Sequence, residues 1–327
     1  MQVRSISRRL ILAAAATLAV GGVGAQQAWP SKPITWIVPF PAGGPTDVVS
    51  RIVGKELSER LKQPVIVENK AGASGAIAAG QVKRAPADGY TLMTLATPTL
   101  FAPLFYKNVG YDATKDFTPI AYVYDLPIVM VVNPSKLPGV KTLPQLIDAA
   151  RNSKEPLHYT TSGAGSFGHM SMELLKELGK FDMQHVAYKG GVPAITDTIG
   201  GQVPIMYADL VAALPHIKSG KLVAVAVGSP QRVSVVPEVP TIAEQGIEGF
   251  AAVSIGALLG PKGMPPAVVE RLNAEIKDIL AQKDVQERII GAGAIARFMP
   301  GQQLQQSLSQ DYAKWGKVVR DKGMQAE

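Results

Sequence analysis

The fold is decided by one stretch near the start of the chain, I-T-W-I-V-P-F-P-A-G-G-P-T-D (34–47). Residues 34–38 form an apolar run that is typical of a buried strand. A glycine pair follows, and a helix is predicted to begin behind it with Thr46 or Asp47 as its cap. Because glycine has no side chain, the loop N–H groups can face a ligand, and a helix N-terminus favours an anion there. A tight turn without a ligand is the alternative interpretation.

Strands and helices alternate after this stretch. A helix is predicted over 47–61, strands are predicted over 64–69 and 90–95, and a small-residue loop at 71–80 leads into another helix. This alternation predicts a parallel sheet with helical crossovers. Thr97 directly follows the third strand, at the edge of the sheet where ligands bind in open α/β folds.

The alternation breaks over residues 116–133, where two apolar runs follow each other with no helix between them. An extended segment of this kind can cross from one domain into another, so a second domain is predicted to begin near Asp125. A strand in that domain leads into a glycine-rich loop, S-G-A-G-S-F-G-H (162–169). The run 250–259 is predicted to return the chain to the first domain.

The composition is that of a folded and modestly basic chain. Of the 327 residues, 46% are hydrophobic and 18% are charged, which indicates a core and argues against disorder. The net charge of +7 falls to about +4 when the three N-terminal arginines are left out. Because the charges are scattered, we expect no nucleic-acid binding. Cysteine is absent and the four histidines lack metal-ligand spacing, so neither thiol chemistry nor a metal site is expected.

Residues 1–25 are predicted to be a targeting segment. Three arginines precede the apolar run L-I-L-A-A-A-A-T-L-A-V (10–20), and small residues lead up to Ala25. This order is typical of a secretory signal peptide, with cleavage near Ala25 and a periplasmic mature chain. The segment S-R-R-L-I-L also resembles a twin-arginine signal, and both export routes lead out of the cytoplasm.

The glycine-rich loop 162–169 contains the pattern G-x-G-x-x-G between a strand and a helix, as in dinucleotide-binding proteins. That fingerprint requires an acidic residue at the end of the next strand, where this chain has Tyr188 and Lys189. Export also does not suit a nicotinamide enzyme. A dinucleotide site is therefore disfavoured.

The same loop approximates the nucleophile elbow of serine hydrolases, with Ser166 as the nucleophile and Asp209 and His216 as possible partners. Nothing in the sequence fixes the geometry of such a triad. In the simpler interpretation, Ser166 caps the following helix and His169 packs in its first turn. Capping is compatible with contact to a ligand.

The two glycine loops together favour a binding protein. Each follows a strand and precedes a helix, one in each predicted domain, so two helix N-termini can face one another across a cleft. Backbone N–H groups and the hydroxyls of Thr97, Ser162, Ser166 and Tyr188 can then donate hydrogen bonds without a buried positive charge. This arrangement suits a reversibly bound carboxylate, and two domains joined by extended crossings suit hinge closure around a solute.

Several longer blocks carry a more specific signal than any glycine pattern. They are W-P-S-K-P-I (29–34), I-V-P-F-P-A-G-G-P-T-D (37–47), E-N-K-A-G-A-S-G (68–75), P-A-D-G-Y-T-L (86–92), S-G-A-G-S-F-G-H (162–169), H-V-A-Y-K-G-G-V-P-A (185–194), L-P-H-I-K-S-G-K-L-V-A-V-A-V (214–227) and V-P-E-V-P-T-I-A-E-Q-G (236–246). In this order they resemble the tripartite tricarboxylate transporter substrate-binding proteins, also called the Bug family. The resemblance covers essentially the whole mature chain.

This resemblance implies a type II periplasmic-binding-protein fold, in which two α/β domains are joined by crossover strands and enclose a ligand cleft. Domain one is expected to comprise residues 26–124 and 250–327, and domain two residues 125–249. The resemblance implies a carboxylated ligand, held partly through ordered water at the first βα loop, with no catalysis and no cofactor. It also implies delivery to a two-component membrane permease, and we expect a monomer.

Carried over by position, the ligand contacts come from both domains. Domain one is expected to contribute Phe40, Ala42, Gly43, Gly44, Asp47 and Thr97. Domain two is expected to contribute Ser162, Gly165, Ser166, His169, Tyr188 and the segment around Asp209. After Met206-Tyr207 the family usually has Asp-Asn-Leu-Pro, whereas this chain has A-D-L-V (208–211). Because a shift of one residue in an extended segment turns a side chain to the other face, the role of Asp209 is in doubt.

Two rival functions stay open at this point. A ligand sensor that presents its loaded form to a signalling receptor needs the same closure as a transport protein. A serine hydrolase that uses Ser166 belongs to a different class. The sequence implies a carboxylate without specifying which one, since the family takes citrate-like acids, acidic amino acids and aromatic carboxylates.

Overall fold

In the computed structural model, which describes residues 29–324, the first apolar run forms strand β1, Ile34–Val38. Four of its five residues are buried, because neighbouring strands flank it and two helices pack against it. The indole N–H of Trp36 donates a hydrogen bond to the Thr94 hydroxyl on strand β3, Thr91–Ala96, at 2.8 Å. This bond satisfies the one polar group of a side chain that is otherwise packed in the core.

The first lobe is built around β1. Its further elements are helix α1 (Pro45–Leu61), strand β2 (Val65–Asn69), a 3₁₀ turn (Ala73–Gly75), helix α2 (Ala76–Lys83), strand β3 and helix α3 (Thr97–Phe105). Strands β2 and β3 pair with β1 on either side, both parallel to it. The predicted parallel sheet with helical crossovers is present here.

A single 16-residue strand, β4 (Phe117–Val132), then leads out of the first lobe. Residues 117–127 pair with β9 (Val253–Pro261), whereas residues 128–132 pair with β7 (Ile205–Asp209) and β8 (Val223–Val227). The change of partner falls between Pro127 and Ile128. The extended crossing predicted over 116–133 is therefore one continuous strand shared by both lobes.

The second lobe repeats the strand-and-helix order of the first. Its elements are α4 (Leu143–Asn152), β5 (His158–Thr161), α5 (Phe167–Gly179), β6 (Gln184–Ala187), α6 (Gly191–Gly200), β7, α7 (Leu210–Lys218) and β8. Strand β5 runs parallel to both β6 and β7. The two lobes therefore each contain a parallel core.

Strand β9 returns the chain to the first lobe and runs antiparallel between β3 and β4. It is followed by α8 (Pro266–Leu280), α9 (Lys283–Gly291), β10 (Ile295–Pro300) and α10 (Gly301–Asp321). In the middle of the sheet, beyond the part predicted to be parallel, the pairings are antiparallel. The long strands β4 and β9 cross there in opposite directions, which makes their pairings antiparallel.

Within residues 29–324, ten strands form one sheet in the order β2-β1-β3-β9-β4-β7-β5-β6, with β8 and β10 paired to β4. All of these elements belong to one compact unit that begins at Lys32. In the described part of the chain no helix is long and apolar enough to cross a membrane. The predicted signal peptide, residues 1–25, lies outside the described residues.

The start of α1 differs from the prediction. The helix begins at Pro45 and its N-cap is Gly44, so the expectation that Thr46 or Asp47 caps it is wrong. Proline suits the first helical position, where a backbone N–H has no acceptor within the helix. Asp47 therefore lies inside the first turn, which leaves its carboxylate free to act outside the helix.

The sequence patterns did not predict α3, α7, α9 or β10. Two of these helices contain an internal proline, Pro103 in α3 and Pro215 in α7, and proline normally argues against a helix. Both helices are short and begin directly at the end of a strand, with no loop between. Tertiary packing at the strand ends therefore outweighs the local signal, and this matters because both helices begin at the site described next.

Candidate ligand-binding cleft

A cleft with a volume of 390 Å³ opens between the two lobes at the ends of their strands. Six of the twelve predicted site residues line it, namely Phe40, Thr97, Ser162, Gly165, Ser166 and Asp209. The other six, Ala42, Gly43, Gly44, Asp47, His169 and Tyr188, are not among its lining residues. The cleft thus brings together residues that are up to 214 positions apart in the sequence, from Phe40 to Ser254.

Four helices begin at this cleft, two from each lobe. The first-lobe helices α1 and α3 contribute Thr46 and Thr97 from their first turns, and α5 and α7 contribute Phe167 and Val211. The first backbone N–H groups of a helix have no acceptor within it and carry partial positive charge. Among the described lining residues none is Lys, Arg or His. Attraction for an anion therefore comes from backbone dipoles and hydroxyl groups.

The first glycine loop is fixed by the Asp47 carboxylate. This carboxylate accepts hydrogen bonds from the Gly43 backbone N–H at 2.9 Å, from Arg51 Nε at 3.0 Å and from Asn69 Nδ2 at 2.8 Å. Asn69 Nδ2 also donates to the Phe40 carbonyl oxygen at 3.0 Å. Asp47 is 3% exposed. Asp47 therefore acts on the shape of the loop, while Phe40 is the loop residue that reaches the cleft.

The electrostatics of Asp47 follow from these contacts. Burial would raise its pKa, but the hydrogen bonds from Arg51, Gly43 and Asn69 outweigh burial and hold the pKa below its ordinary value. The carboxylate is therefore ionised at neutral pH. Neither Arg51 nor Asn69 was predicted to belong to the site. Their signal is positional, since Arg51 lies one helical turn after Asp47 and Asn69 ends the neighbouring strand.

Thr97 joins the cleft to the crossing strand. Its hydroxyl accepts a hydrogen bond of 2.7 Å from the backbone N–H of Ile255 on β9, and the side chain is 2% exposed. A hydroxyl that accepts one bond can still donate its own proton. Thr97 can therefore hold β9 against α3 and still donate a hydrogen bond to a ligand.

The second glycine loop is held by a cap at the start of α5. Helix α5 begins at Phe167, and the Ser166 hydroxyl accepts a hydrogen bond of 3.2 Å from the backbone N–H of His169. The Ser166 hydroxyl also donates to Thr161 Oγ1 at 3.2 Å. Gly165 has φ +67°, in the left-handed region that favours glycine. The cap leaves the N–H groups of the first two helical residues without an acceptor in the helix.

Two histidines lie behind this loop. The rings of His169 and His185 are stacked with centroids 4.0 Å apart. His169 Nδ1 accepts a hydrogen bond from the Gly165 backbone N–H at 3.1 Å, and His185 Nε2 is 2.9 Å from Thr161 Oγ1. Burial lowers the pKa of His169, and burial together with the charge of His169 lowers that of His185 to about 4. Both rings are neutral at pH 7 and support the loop from behind.

The Ser166 hydroxyl has no imidazole to activate it. Its partners are Thr161 Oγ1 and a backbone N–H, and His169 Nδ1 is already engaged by Gly165. General-base activation of a serine requires a direct hydrogen bond from its hydroxyl to a base. This geometry favours the capping interpretation of Ser166 over the nucleophile elbow.

Tyr188 and Asp209 differ in their surroundings. The Tyr188 hydroxyl donates to Asp197 Oδ2 at 2.6 Å, which, with a smaller contribution from burial, raises the pKa of Tyr188 to about 12. It is therefore engaged within the second lobe. Asp209 ends β7 and is the N-cap residue of α7, but its side chain makes no capping hydrogen bond. Its carboxyl group lies exposed in the cleft, and desolvation by the surrounding walls raises its pKa.

An aromatic wall that was not predicted completes the cleft. Phe101 and Phe105 of α3, Tyr106 directly after it, and Phe167 of α5 line this wall. The Phe101 and Phe167 rings are stacked with centroids 6.2 Å apart, and Phe167 also packs against Trp315 of α10 at 5.0 Å. In the sequence these residues are signalled only by the apolar run after Thr97. That run does not indicate a binding site unless α3 is known to be a helix that begins at the cleft.

Comparison with known proteins places this fold and cleft in a defined class. BugT of Bordetella pertussis is 33% identical over 320 residues, which cover 96% of this chain and 98% of BugT. The structure of R. palustris Rpa4515 with adipate is 32% identical, covers 91% of this chain and 99% of that one, and has a TM-score of 0.75. MatC (Rpa3494) from Rhodopseudomonas palustris with bound malate is 33% identical, covers 89% of this chain and 100% of that one, and has a TM-score of 0.70.

The two lobes, their crossover strands and the cleft define a solute-binding protein with the type II periplasmic-binding-protein fold, which confirms the predicted fold class. Residues 49–324 match the family described as "Tripartite tricarboxylate transporter family receptor". The chain belongs to this family of periplasmic receptors, and the resemblance seen in the sequence blocks is confirmed.

Proposed function

We propose that this protein captures a small carboxylate between its two lobes and delivers it to a two-component membrane permease of the tripartite tricarboxylate type. One observation carries the proposal: four helix N-termini converge on a cleft whose described lining has no basic side chain. Such a cleft neutralises an anion by backbone N–H groups and hydroxyls, which suits reversible binding better than a buried ion pair does.

The known ligands of similar proteins support a carboxylate. Adipate is bound to Rpa4515 and malate to MatC, and both molecules are small dicarboxylates. The overlap with those proteins is nearly complete along their chains. For this chain we infer the shared feature, one carboxylate group held at the helix N-termini.

We assign the direct contacts to Phe40, Thr97, Ser162, Gly165 and Ser166, which line the cleft. Ala42, Gly43 and Gly44 complete the first loop and can approach a ligand when the lobes close. In this proposal Asp47, His169 and Tyr188 act as supports, because their polar groups are engaged within the protein.

The proposed hinge lies where β4 and β9 pass between the lobes. We propose domain one as residues 26–124 with 250–327 and domain two as residues 125–249. The change of pairing on β4 between Pro127 and Ile128 supports a boundary close to Asp125. Closure about these strands would bring the two glycine loops together around the ligand.

We further propose that the chain is exported, cleaved near Ala25 and active as a periplasmic monomer without catalytic function. The N-terminal sequence pattern and the periplasmic family support export. The hydrogen bonds of Ser166, which include no imidazole, support binding over hydrolysis.

A thermal-shift screen of carboxylates on the mature chain tests the proposal, because a ligand that binds only the folded state raises the melting temperature. A dose-dependent rise with at least one carboxylate, confirmed by calorimetry, is the expected result. A response to sugars or cations without any response to carboxylates would overturn it.

The two rivals need separate measurements. Permease genes next to this gene would favour transport, whereas an adjacent sensor kinase without a permease would favour signalling. Ser166→Ala should weaken carboxylate binding. If it instead abolished turnover of an ester or amide while carboxylate binding stayed intact, the serine hydrolase would be the correct function.

A further inference from the structure

Asp209 is the one charged residue among the described residues that line the cleft. Its side chain is exposed to the cleft and makes no hydrogen bond or ion pair within the described chain. An acid is unexpected in a site built to hold an anion, because two negative charges in one small, poorly solvated cavity repel each other.

The position of Asp209 fixes which part of the cleft it serves. It lies at the junction of β7 and α7, whereas Thr97 and Ser162 directly follow β3 and β5. Strand β7 pairs with both β4 and β5, so Asp209 and the second glycine loop share one edge of the sheet. A ligand that is held at the second glycine loop therefore has Asp209 at the same edge of the sheet and in the same cleft.

We propose that Asp209 determines ligand specificity by selecting carboxylates that also carry an ammonium group, and by rejecting a second carboxylate. This inference rests on the proposed function, since it assumes that one carboxylate is bound at the helix N-termini. An ammonium group gives Asp209 the charge-assisted hydrogen bond that the protein does not supply. A second carboxylate would leave two uncompensated negative charges beside each other.

The burial pattern at the end of β7 fits this role. In the segment A-D-L-V (208–211), Ala208 is 1% exposed and packs in the core of the second lobe, whereas Asp209 lines the cleft. The carboxyl group of Asp209 is therefore on the side of the strand end that meets the cleft.

Four probes of equal chain length test the inference by calorimetry at pH 7.5: pentanoate, glutarate, 5-aminopentanoate and L-norvaline. Pentanoate has one carboxylate and no second charged group, and glutarate has a second carboxylate. In 5-aminopentanoate an ammonium group is at the far end of the chain, and in L-norvaline it is next to the carboxylate. We expect at least one of the two amino acids to bind tenfold or more tightly than glutarate. Two variants complete the design, Asp209→Asn, which removes the charge at constant size, and Asp209→Glu, which keeps it.

Asp209→Asn should reduce the preference for the amino acid by tenfold or more and increase glutarate affinity, whereas Asp209→Glu should retain the direction of the preference. Glutarate binding as tightly as both amino acids in the wild type would overturn the inference. So would an unchanged ratio in Asp209→Asn, with melting temperatures confirming that the variant is folded. Absence of binding by all four probes overturns this inference, and absence of a melting-temperature rise with every carboxylate overturns the proposed capture as well, whereas binding of pentanoate upholds capture independently of Asp209.

Discussion

The backbone N–H of Gly43 donates a hydrogen bond of 2.9 Å to the carboxylate of Asp47, so the glycine loop is tied to the helix that follows it. The same carboxylate accepts a hydrogen bond from Asn69 at the end of the neighbouring strand. One buried acid thereby sets the position of a loop from three directions. Rigid positioning of this kind reduces the ordering cost of binding a ligand.

Replacing Asp47 should therefore affect both stability and binding. Asp47→Ala removes the acceptor of charge-assisted hydrogen bonds and leaves buried donors unpaired, so we expect a loss of about 2–3 kcal/mol in the free energy of unfolding. Carboxylate affinity should fall as well, because Phe40 and Gly43 lose their anchor. Urea unfolding and calorimetry measure the two effects.

Asp148→Asn is the matched control, since Asp148 is exposed on α4 and far in sequence from the loop. It should change the stability by less than about 0.5 kcal/mol.

The stabilisation that Asp47 contributes also depends on pH. Because its folded pKa lies below the ordinary 3.8, the stabilisation is complete at neutral pH and is lost only as the pH falls below about 3.8. Equal losses of stability and affinity in Asp47→Ala and Asp148→Asn would contradict the role given to Asp47.

The stacked histidines predict a second pH dependence at milder acidity. The pKa of His185 is about 4 in the folded protein, whereas the pKa of a histidine in the unfolded chain is about 6.5. Between pH 6.5 and pH 4, His185 is therefore protonated in the unfolded chain and neutral in the folded chain. Stability should be complete above pH 6.5 and decrease by about 2 kcal/mol on acidification to pH 5.

His185→Gln tests this assignment, because glutamine can still hydrogen-bond to Thr161 but does not titrate. Melting temperatures measured from pH 7.5 to pH 5 should decrease less steeply in the variant than in the wild type. Parallel curves would mean that other groups cause the acid sensitivity.

Gly165 should be sensitive to substitution for two separable reasons. Its φ of +67° disfavours any L side chain, and an added Cβ would lie 3.4 Å from the Phe105 ring of the opposite lobe. Gly165→Ala should cost about 1 kcal/mol in stability and should also weaken ligand binding, because the methyl group opposes approach of the two lobes.

Gly220→Ala separates these two reasons. Gly220 has φ +70°, but an added Cβ there would meet no atom within 4 Å. We expect a similar loss of stability and unchanged carboxylate affinity. If Gly220→Ala lowered the affinity as much as Gly165→Ala, the contact with Phe105 would have no part in binding.

Thr97 allows a test of the link between the cleft and the crossing strand. Thr97→Val keeps the shape of the side chain but leaves the buried N–H of Ile255 without its acceptor, at a cost of about 1–3 kcal/mol. Affinity should fall too, because the hydroxyl donor is lost. Thr97→Ser keeps the hydroxyl and should retain most of the stability and binding. Equal behaviour of the two variants would exclude the hydroxyl as the cause.

Much of the fold can be predicted from local sequence. The apolar run 34–38 and the strand predicted over 90–95 occur where their patterns indicate, since the local apolar pattern agrees with the buried environment there. The short helices α3 and α7 escape prediction because Pro103 and Pro215 oppose them locally. Their formation depends on packing at the strand ends, which local patterns do not encode.

The candidate site, like the fold, was predicted in part from the sequence and in part only seen in the structure. The sequence by itself determined that two glycine loops precede helices, because glycine, serine and the flanking apolar runs signal this locally, and its longer blocks indicated the family. Only the tertiary structure decided the part that each residue plays. It turns Asp47 away from the cleft to hold the loop, buries the histidines behind Gly165 and exposes Asp209 inside the cleft. These outcomes depend on contacts between distant residues, such as that of Asp47 with Asn69, and no local pattern specifies such contacts.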